Sequence, residues 1–200
     1  MTEVLVPPAR FERWVANFEG RHGATSLTVV GGALEGAAED GSAFRARLPF
    51  SRAYDGAGDA AALVASATPP PTWGVLLVRK GGFAVARLAA AALEEHKIGQ
   101  RHVQGRTKAG GQSQQRFARR RDNQARQAFE AAADHAARIL RAGPVVVGGD
   151  RSAVDAVLED PRLARLAVVG EWLAVPDPRR KELDAAIEAA CSLRVEVTNA

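Results

Sequence analysis

Apolar residues recur along the first third of the chain in two rhythms. Phe11, Trp14, Val15 and Phe18 fall at i, i+3, i+4 and i+7, which predicts an amphipathic helix over residues 8–20, stopped by Gly20 or Gly23. Residues 26–30 read as a strand, and residues 44–48 alternate apolar and basic side chains, the pattern of a half-exposed strand. A short alanine-rich helix is predicted over residues 59–66. Pro69-Pro70-Pro71 then breaks every pattern, because proline removes a donor and fixes φ. Residues 1–70 therefore read as a small α+β N-terminal subdomain, with residues 71–200 as a second domain.

Beyond the prolines the pattern changes. Residues 73–79 and 83–88 are apolar runs joined by Lys80-Gly81-Gly82, a β-hairpin. A third strand is predicted over residues 97–104 and a loop over 105–112. Residues 113–141 contain neither Gly nor Pro. Phe117, Ala125, Ala128, Phe129, Ala132, Ala136, Ile139 and Leu140 lie mostly along one stripe, so this helix, roughly 40 Å long at 1.5 Å per residue, packs on a sheet. Ser113 is the predicted N-cap and Gly143-Pro144 the stop. Val145-Val146-Val147 has buried-strand character. A helix at 153–159, a strand at 166–169, a helix at 179–190 and a closing strand at 193–197 complete an α/β layer fold with a mixed sheet.

Composition narrows the functional classes. The chain of 200 residues is 46% hydrophobic and 25% charged, the balance of a folded globule. Its longest apolar runs are too short to span a bilayer, and Met1–Pro8 lacks a basic segment followed by an apolar one. The expectation is a cytoplasmic protein without a membrane partner. Cys191 is the single cysteine, and His22, His96, His102 and His135 are scattered, so neither a disulfide nor a metal site is expected, nor any cofactor. Cys191 is read as an inert thiol. Residues 97–126 hold nine of the 27 Lys/Arg but, in Asp122, one of the 23 Asp/Glu, leaving the remainder net acidic. A solvated helix face mixes both signs; a patch this one-sided marks a polyanion partner.

The centre of that patch carries candidate chemistry. Gly110 and Gly111 let the backbone adopt positive φ and approach a ligand with no Cβ in the way. Gln112 offers a carbonyl acceptor, two N–H donors and its backbone N–H. A glutamine is no general base at neutral pH, but it can orient water or donate to developing negative charge. Arg116, Arg119, Arg120 and Arg121 open the following helix, where cations oppose the macrodipole. Facing an anion, the free N–H groups and the arginines act together.

Gly110-Gly111-Gln112-Ser113 followed by Arg116-Phe117-Ala118-Arg119 resembles the middle domain of the eukaryotic and archaeal class-1 translation release factors. Gly99-Gln100-Arg101-His102, Gly105-Arg106 and Arg119-Arg120-Arg121-Asp122-Asn123-Gln124 are closer to the VLRF branch, the release-factor-like domain of ribosome quality-control peptidyl-tRNA hydrolases, in its actinobacterial form. The resemblance spans roughly residues 72–197. It implies an RNase H-like α/β fold in which the loop enters the peptidyl-transferase centre. Gln112 would be the catalytic glutamine, reached through Gly110 and Gly111. Arg106, Lys108, Arg116, Arg119, Arg120 and Arg121 would hold phosphates. The implied partners are peptidyl-tRNA and the large ribosomal subunit with its rRNA. The chain has no room for a codon-reading domain or a GTPase-binding domain, which fits rescue of stalled complexes rather than normal termination. Its single cysteine and its length exclude the zinc-finger and ankyrin segments of eukaryotic relatives.

Three functions compete on the sequence alone: ester hydrolysis of peptidyl-tRNA, endonucleolytic cleavage near the tRNA 3′ end with the arginines stabilising a pentacovalent phosphate, and a non-enzymatic RNA- or ribosome-binding module. Other residues have plainer readings. Phe11 and Trp14 are assigned to a core, Trp73 to packing at the hairpin, Trp172 to structure, and Asp150 to the cap of the next helix.

Overall fold

The computed structural model describes the backbone of residues 1–100 and 112–200, with side chains except those of residues 100 and 112–125. The chain divides into two compact units, Met1–Pro69 with Ile187–Ala200, and Pro70–Ala186.

The first unit is built on a five-stranded antiparallel sheet of β1 (Thr2–Val6), β2 (Thr25–Val30), β3 (Ala33–Ala38), β4 (Ala43–Arg47) and β10 (Leu193–Thr198), in the order β1-β10-β4-β3-β2. Helix α1 (Pro8–His22) buries Phe11, Val15 and Phe18, the stripe the spacing predicts. Pro8 opens α1, where a missing N–H costs nothing. Gly23 closes it at φ 90°. Helix α2 (Ala60–Ser66) is capped by the Asp59 carboxylate, which accepts the Ala62 N–H at 2.8 Å. Phe44 of β4 anchors the core, with ring centroids 5.1 Å from both Trp14 and Phe18. Its cross-strand neighbour is Gly36, where a Cβ would lie 2.1 Å from the Phe44 ring. Alternate positions on the strands carry paired charges: Arg194–Glu3 at 2.7 Å, Arg47–Glu196 at 2.9 Å, and Arg45–Glu35.

Two strands of this sheet depart from the periodicity. The run Ala-Leu-Glu-Gly-Ala-Ala of β3 has weak β propensity, and pairing with β2 and β4 overrides it. Strand β10 does not close the sheet of the second unit. It lies between β1 and β4, with Val195 opposite both Val4 and Ala46, and it buries Leu193 and Val195 in the Phe11–Phe44 core.

The second unit has the sheet order β7-β6-β5-β8-β9, from β5 (Trp73–Arg79), β6 (Gly82–Ala89), β7 (Ala92–Gln100), β8 (Gly143–Gly149) and β9 (Leu166–Val168). Strands β5, β6 and β7 form an antiparallel meander; β8 and β9 run parallel to β5. The sheet is mixed and the unit is α/β, as the pattern of strands and helices predicts. Helices α3 (Gln112–Ile139) and α4 (Arg151–Leu158) share one core with the sheet, in which Ala132, Ala136, Ile139, Val154 and Val157 meet Leu76, Val78, Val85, Val145 and Val147. Helix α5 (Arg180–Cys191) follows β9, and the division between the units falls within it. Trp73 is buried and its indole N–H donates to the Ala90 carbonyl at 2.8 Å, so it holds the hairpin together and offers no face to a base.

Strand β7 begins at Ala92 rather than residue 97. Ala92–Glu95 favours helix by composition, but the β6 edge recruits it, and the register shifts between Arg87 and Leu88 to accommodate it. The predicted residues 101–104 of that strand lie outside the described residues.

Candidate functional site

The basic stretch is bracketed by two elements. Strand β7 leads into residues 101–111 and α3 leaves them. Arg106, Lys108, Gly110 and Gly111 lie outside the described residues. Gln112 is the first residue of α3, and Arg116, Arg119, Arg120 and Arg121 belong to its first three turns of backbone. Ser113 therefore falls inside the helix and is not its N-cap. Without Gly or Pro after Gln112, nothing delays helix propagation past that residue.

Helix α3 is held at its far end. Its buried positions among the described side chains are Ala128, Ala132, Ala133, Ala136 and Ile139, with Phe129 packed beside them. Sixteen residues separate Gln112 from Ala128, roughly 24 Å along the axis. A helix of 28 residues fixed by its C-terminal half carries Gln112 on a stiff rod rather than on a free loop. Its first turn contains no acid, so no carboxylate of that turn offsets the partial positive charge of the helix N-terminus.

The entry strand is fixed by a three-part stack. Phe83 of β6 faces Gly99 of β7, and a Cβ on Gly99 would lie 2.3 Å from the Phe83 ring. The same ring meets His135 of α3, with centroids 5.5 Å apart. The stack ties β6, β7 and α3 together one residue before the described part of β7 ends. Burial lowers the His135 pKa, and Lys97 and Arg138 nearby lower it further, so this imidazole is neutral at pH 7.

Acids on β7 are already occupied. Arg138 pairs with Glu95 at 2.5 Å, and Arg87 lies 3.4 Å from Glu94 and 3.6 Å from Glu95. Lys97, further along the strand, has no carboxylate partner among the described residues. Positive charge thus rises toward residues 101–111 without opposition from the strand that feeds them.

A groove of about 850 Å³ between α3 and α4 is lined by Lys80, Arg126, Glu130, Asp134, Glu159 and Arg162, among others. It mixes both signs. Arg162 lies 2.7 Å from both Asp160 and Asp134, and its hydrogen bonds hold the Asp160 pKa down at about 2. Arg126 sits fourteen residues after Gln112, roughly 21 Å along the helix. The groove is remote from Gln112 and too balanced in charge to track a phosphate backbone.

Other candidates are structural. Among the described residues no group of three His, Cys, Asp or Glu is placed to hold a metal. Asp150 precedes α4, but its side chain makes no capping bond. Its backbone acts instead: the N–H donates to Val78 at 2.8 Å and the carbonyl accepts from Ala153 and Val154. Trp172 donates to the Gly149 carbonyl at 3.2 Å beneath the Arg151 guanidinium. Burial pushes the Cys191 thiol up to about 11. Among the described residues no helix is long and apolar enough to cross a membrane.

With this geometry in view, comparison with known families is decisive: residues 71–196 match the model described as Actinobacteria/chloroflexi VLRF1 release factor. The chain belongs to that family. The VLRF1 match takes in β5–β9, α3–α5, residues 101–111 and most of β10, and leaves out β1–β4, α1 and α2. As a VLRF1 protein the chain is release-factor-like. A crystal structure of an archaeal translation termination factor, aRF1, aligns at 14% identity and a TM-score of 0.41, covering 94% of this chain and 66% of that one. No curated protein matches the chain.

The sequence motif singles out residues 106–121 but not the residues of β6, β7 and α3 that meet beside them. Phe83, Gly99 and His135 carry no motif. Register counted from the turn at Ala90 would place Ile98 across from Phe83; Gly99 comes opposite it only through the register shift between Arg87 and Leu88.

Proposed function

We propose that the protein releases nascent chains by hydrolysing the ester of peptidyl-tRNA on stalled ribosomes or large subunits, without reading a codon. The observation that carries this reading is the placement of Gln112, in a Gly-Gly-Gln sequence, at the first residue of an acid-free helix start within a VLRF1 domain. In this reading Gly110 and Gly111 give the backbone close approach. Gln112 orients the attacking water and donates to the oxyanion that develops at the ester carbonyl. Arg106, Lys108, Arg116, Arg119, Arg120 and Arg121 hold tRNA and rRNA phosphates. The reaction needs no metal or cofactor: one C–O bond is exchanged for another, with water as nucleophile and the tRNA 3′ hydroxyl as leaving group.

The test is release of labelled peptide from stalled peptidyl-tRNA on large subunits. Gln112→Ala is expected to slow release by about 10²–10³, the usual loss when one oriented donor is removed, while subunit binding persists. Full activity in that variant would overturn the assignment. The 3′ end of the released tRNA is mapped in the same experiment. The arginine run beside Gln112 also suits a pentacovalent phosphate, and a tRNA shortened at its 3′ end would convert the reading to an endonuclease.

A further inference from the structure

Residues 1–69, the larger part of the first unit, lie outside the VLRF1 match, and the unit's arginines fall into two groups. It contains Arg10, Arg13, Arg21, Arg45, Arg47, Arg52 and Arg194 and no lysine. Arg45, Arg47 and Arg194 are each paired with a glutamate, and Arg52 donates to the Ser66 and Thr68 carbonyls. The other three are all on α1, all exposed, and among the described residues none has an ion-pair partner.

Their spacing is directional. At 100° per residue, Arg10, Arg13, Asn17 and Arg21 fall within an arc of about 80°. Trp14 borders that arc on the side of the buried stripe, whereas Glu12 and Glu19 lie on the opposite flank. Helix α1 thus separates its charges across the core-facing stripe, where a merely solvated helix would intersperse them.

The basic flank borders a groove. A cleft of about 360 Å³ is lined by Trp14, Asn17, Phe18, Arg21, His22 and Val197, among others, and no carboxylate lines it. Trp14 is half-buried. Its ring stacks on Phe11 and Phe18 at 6.0 and 5.7 Å and meets the edge of Phe44 at 5.1 Å, so its orientation is set before any ligand arrives. Arg21 lines the cleft with Trp14, and Arg10 and Arg13 continue the same helix flank; a half-buried tryptophan at a groove on a helix with unpaired arginines is a combination that binds single strands, with bases stacking and phosphates paired. A duplex would leave the aromatic face without a base to stack.

We propose that this face of the first unit binds single-stranded RNA, with a base against Trp14 and phosphates on Arg10, Arg13 and Arg21. The site is independent of the chemistry at Gln112 and would dock the protein on an exposed strand of its ribosomal target.

The experiment titrates the full chain with a seven-nucleotide oligouridylate and follows tryptophan fluorescence across a salt series. Quenching is expected, and its Trp14 component disappears in Trp14→Phe. Charge reversal of all three arginines (Arg10→Glu, Arg13→Glu, Arg21→Glu) should weaken binding tenfold or more. It should also flatten the slope of log K against log salt by about 2, since each phosphate contact to a single strand contributes roughly 0.7. Should the triple variant not fold by circular dichroism, the single reversals Arg10→Glu and Arg21→Glu each carry about a third of the slope change. Unchanged affinity and slope in the triple reversal, or quenching undiminished in Trp14→Phe, would overturn the proposal. So would a triple reversal that spares oligouridylate binding but abolishes binding to phosphatidylserine vesicles. Gln112→Ala leaves all these readouts unchanged, so this site and the hydrolytic reading fail separately.

Discussion

Replacing Gly99 by alanine places a methyl carbon 2.3 Å from Cε1 and 2.5 Å from Cζ of Phe83. Carbon atoms in contact sit about 3.5–4.0 Å apart, so something must move by more than an ångström. The ring is 5% exposed and also in contact with His135 of α3. The strain therefore passes either into β7, which feeds residues 101–111, or into α3, which carries Gln112. Overpacking of this kind costs about 1–3 kcal/mol. For a unit of this size each kcal/mol lowers Tm by about 3–5 °C, giving a drop of roughly 3–15 °C. In a Trp14→Phe background, fluorescence reports the second unit alone through Trp73 and Trp172. The decisive measurement is the same substitution in Phe83→Leu, where the ring is gone and the penalty should shrink by at least half. An unchanged Tm in Gly99→Ala, or an equal drop in both backgrounds, refutes the stack as the clamp on the loop's entry strand.

Three further outcomes follow from single groups. Asp59→Ala removes the carboxylate that caps α2 and should destabilise the first unit by about 1 kcal/mol, read by chemical denaturation. His135 has a folded pKa below its ordinary 6.5, so the unfolded chain takes up a proton that the folded one refuses. Stability contributed by the neutral imidazole is complete above about pH 6.5 and is lost as pH falls below it; Tm measured between pH 8 and 5 should fall less in His135→Leu. Cys191, with its thiol pushed to about 11, should react with iodoacetamide at pH 7.5 far more slowly than a free thiol and recover the ordinary rate in denaturant.

Much of this architecture was legible in periodicity because local pattern and tertiary role agree. Phe11, Val15 and Phe18 mark α1, the Lys80-Gly81-Gly82 turn marks the β5–β6 hairpin, and the Ala128–Ile139 stripe marks the packed half of α3. Legibility failed where non-local pairing decides. Strand β3 is alanine- and glycine-rich because Phe44 lies over Gly36, a reason that exists only once β4 is beside it. Strand β10 looks like any closing strand; only the pairing of Val195 with Val4 and Ala46 shows which sheet it closes. At the candidate site, Gln112 and its arginines were visible as chemistry in a local motif. The Phe83–Gly99–His135 stack was not, since its three members are drawn from three elements.

The interior position of β10 has a consequence for the order of synthesis. The first unit emerges from the ribosome first, yet its sheet has a gap between β1 and β4 until residues 193–198 have been made. The second unit, Pro70–Ala186, has every strand of its own sheet by then. Folding therefore runs against the direction of translation, and any chain cut short before β10 keeps two open strand edges at its N-terminal end, the form most exposed to mispairing. Unfinished copies of this chain cannot complete the unit that carries the Trp14 groove.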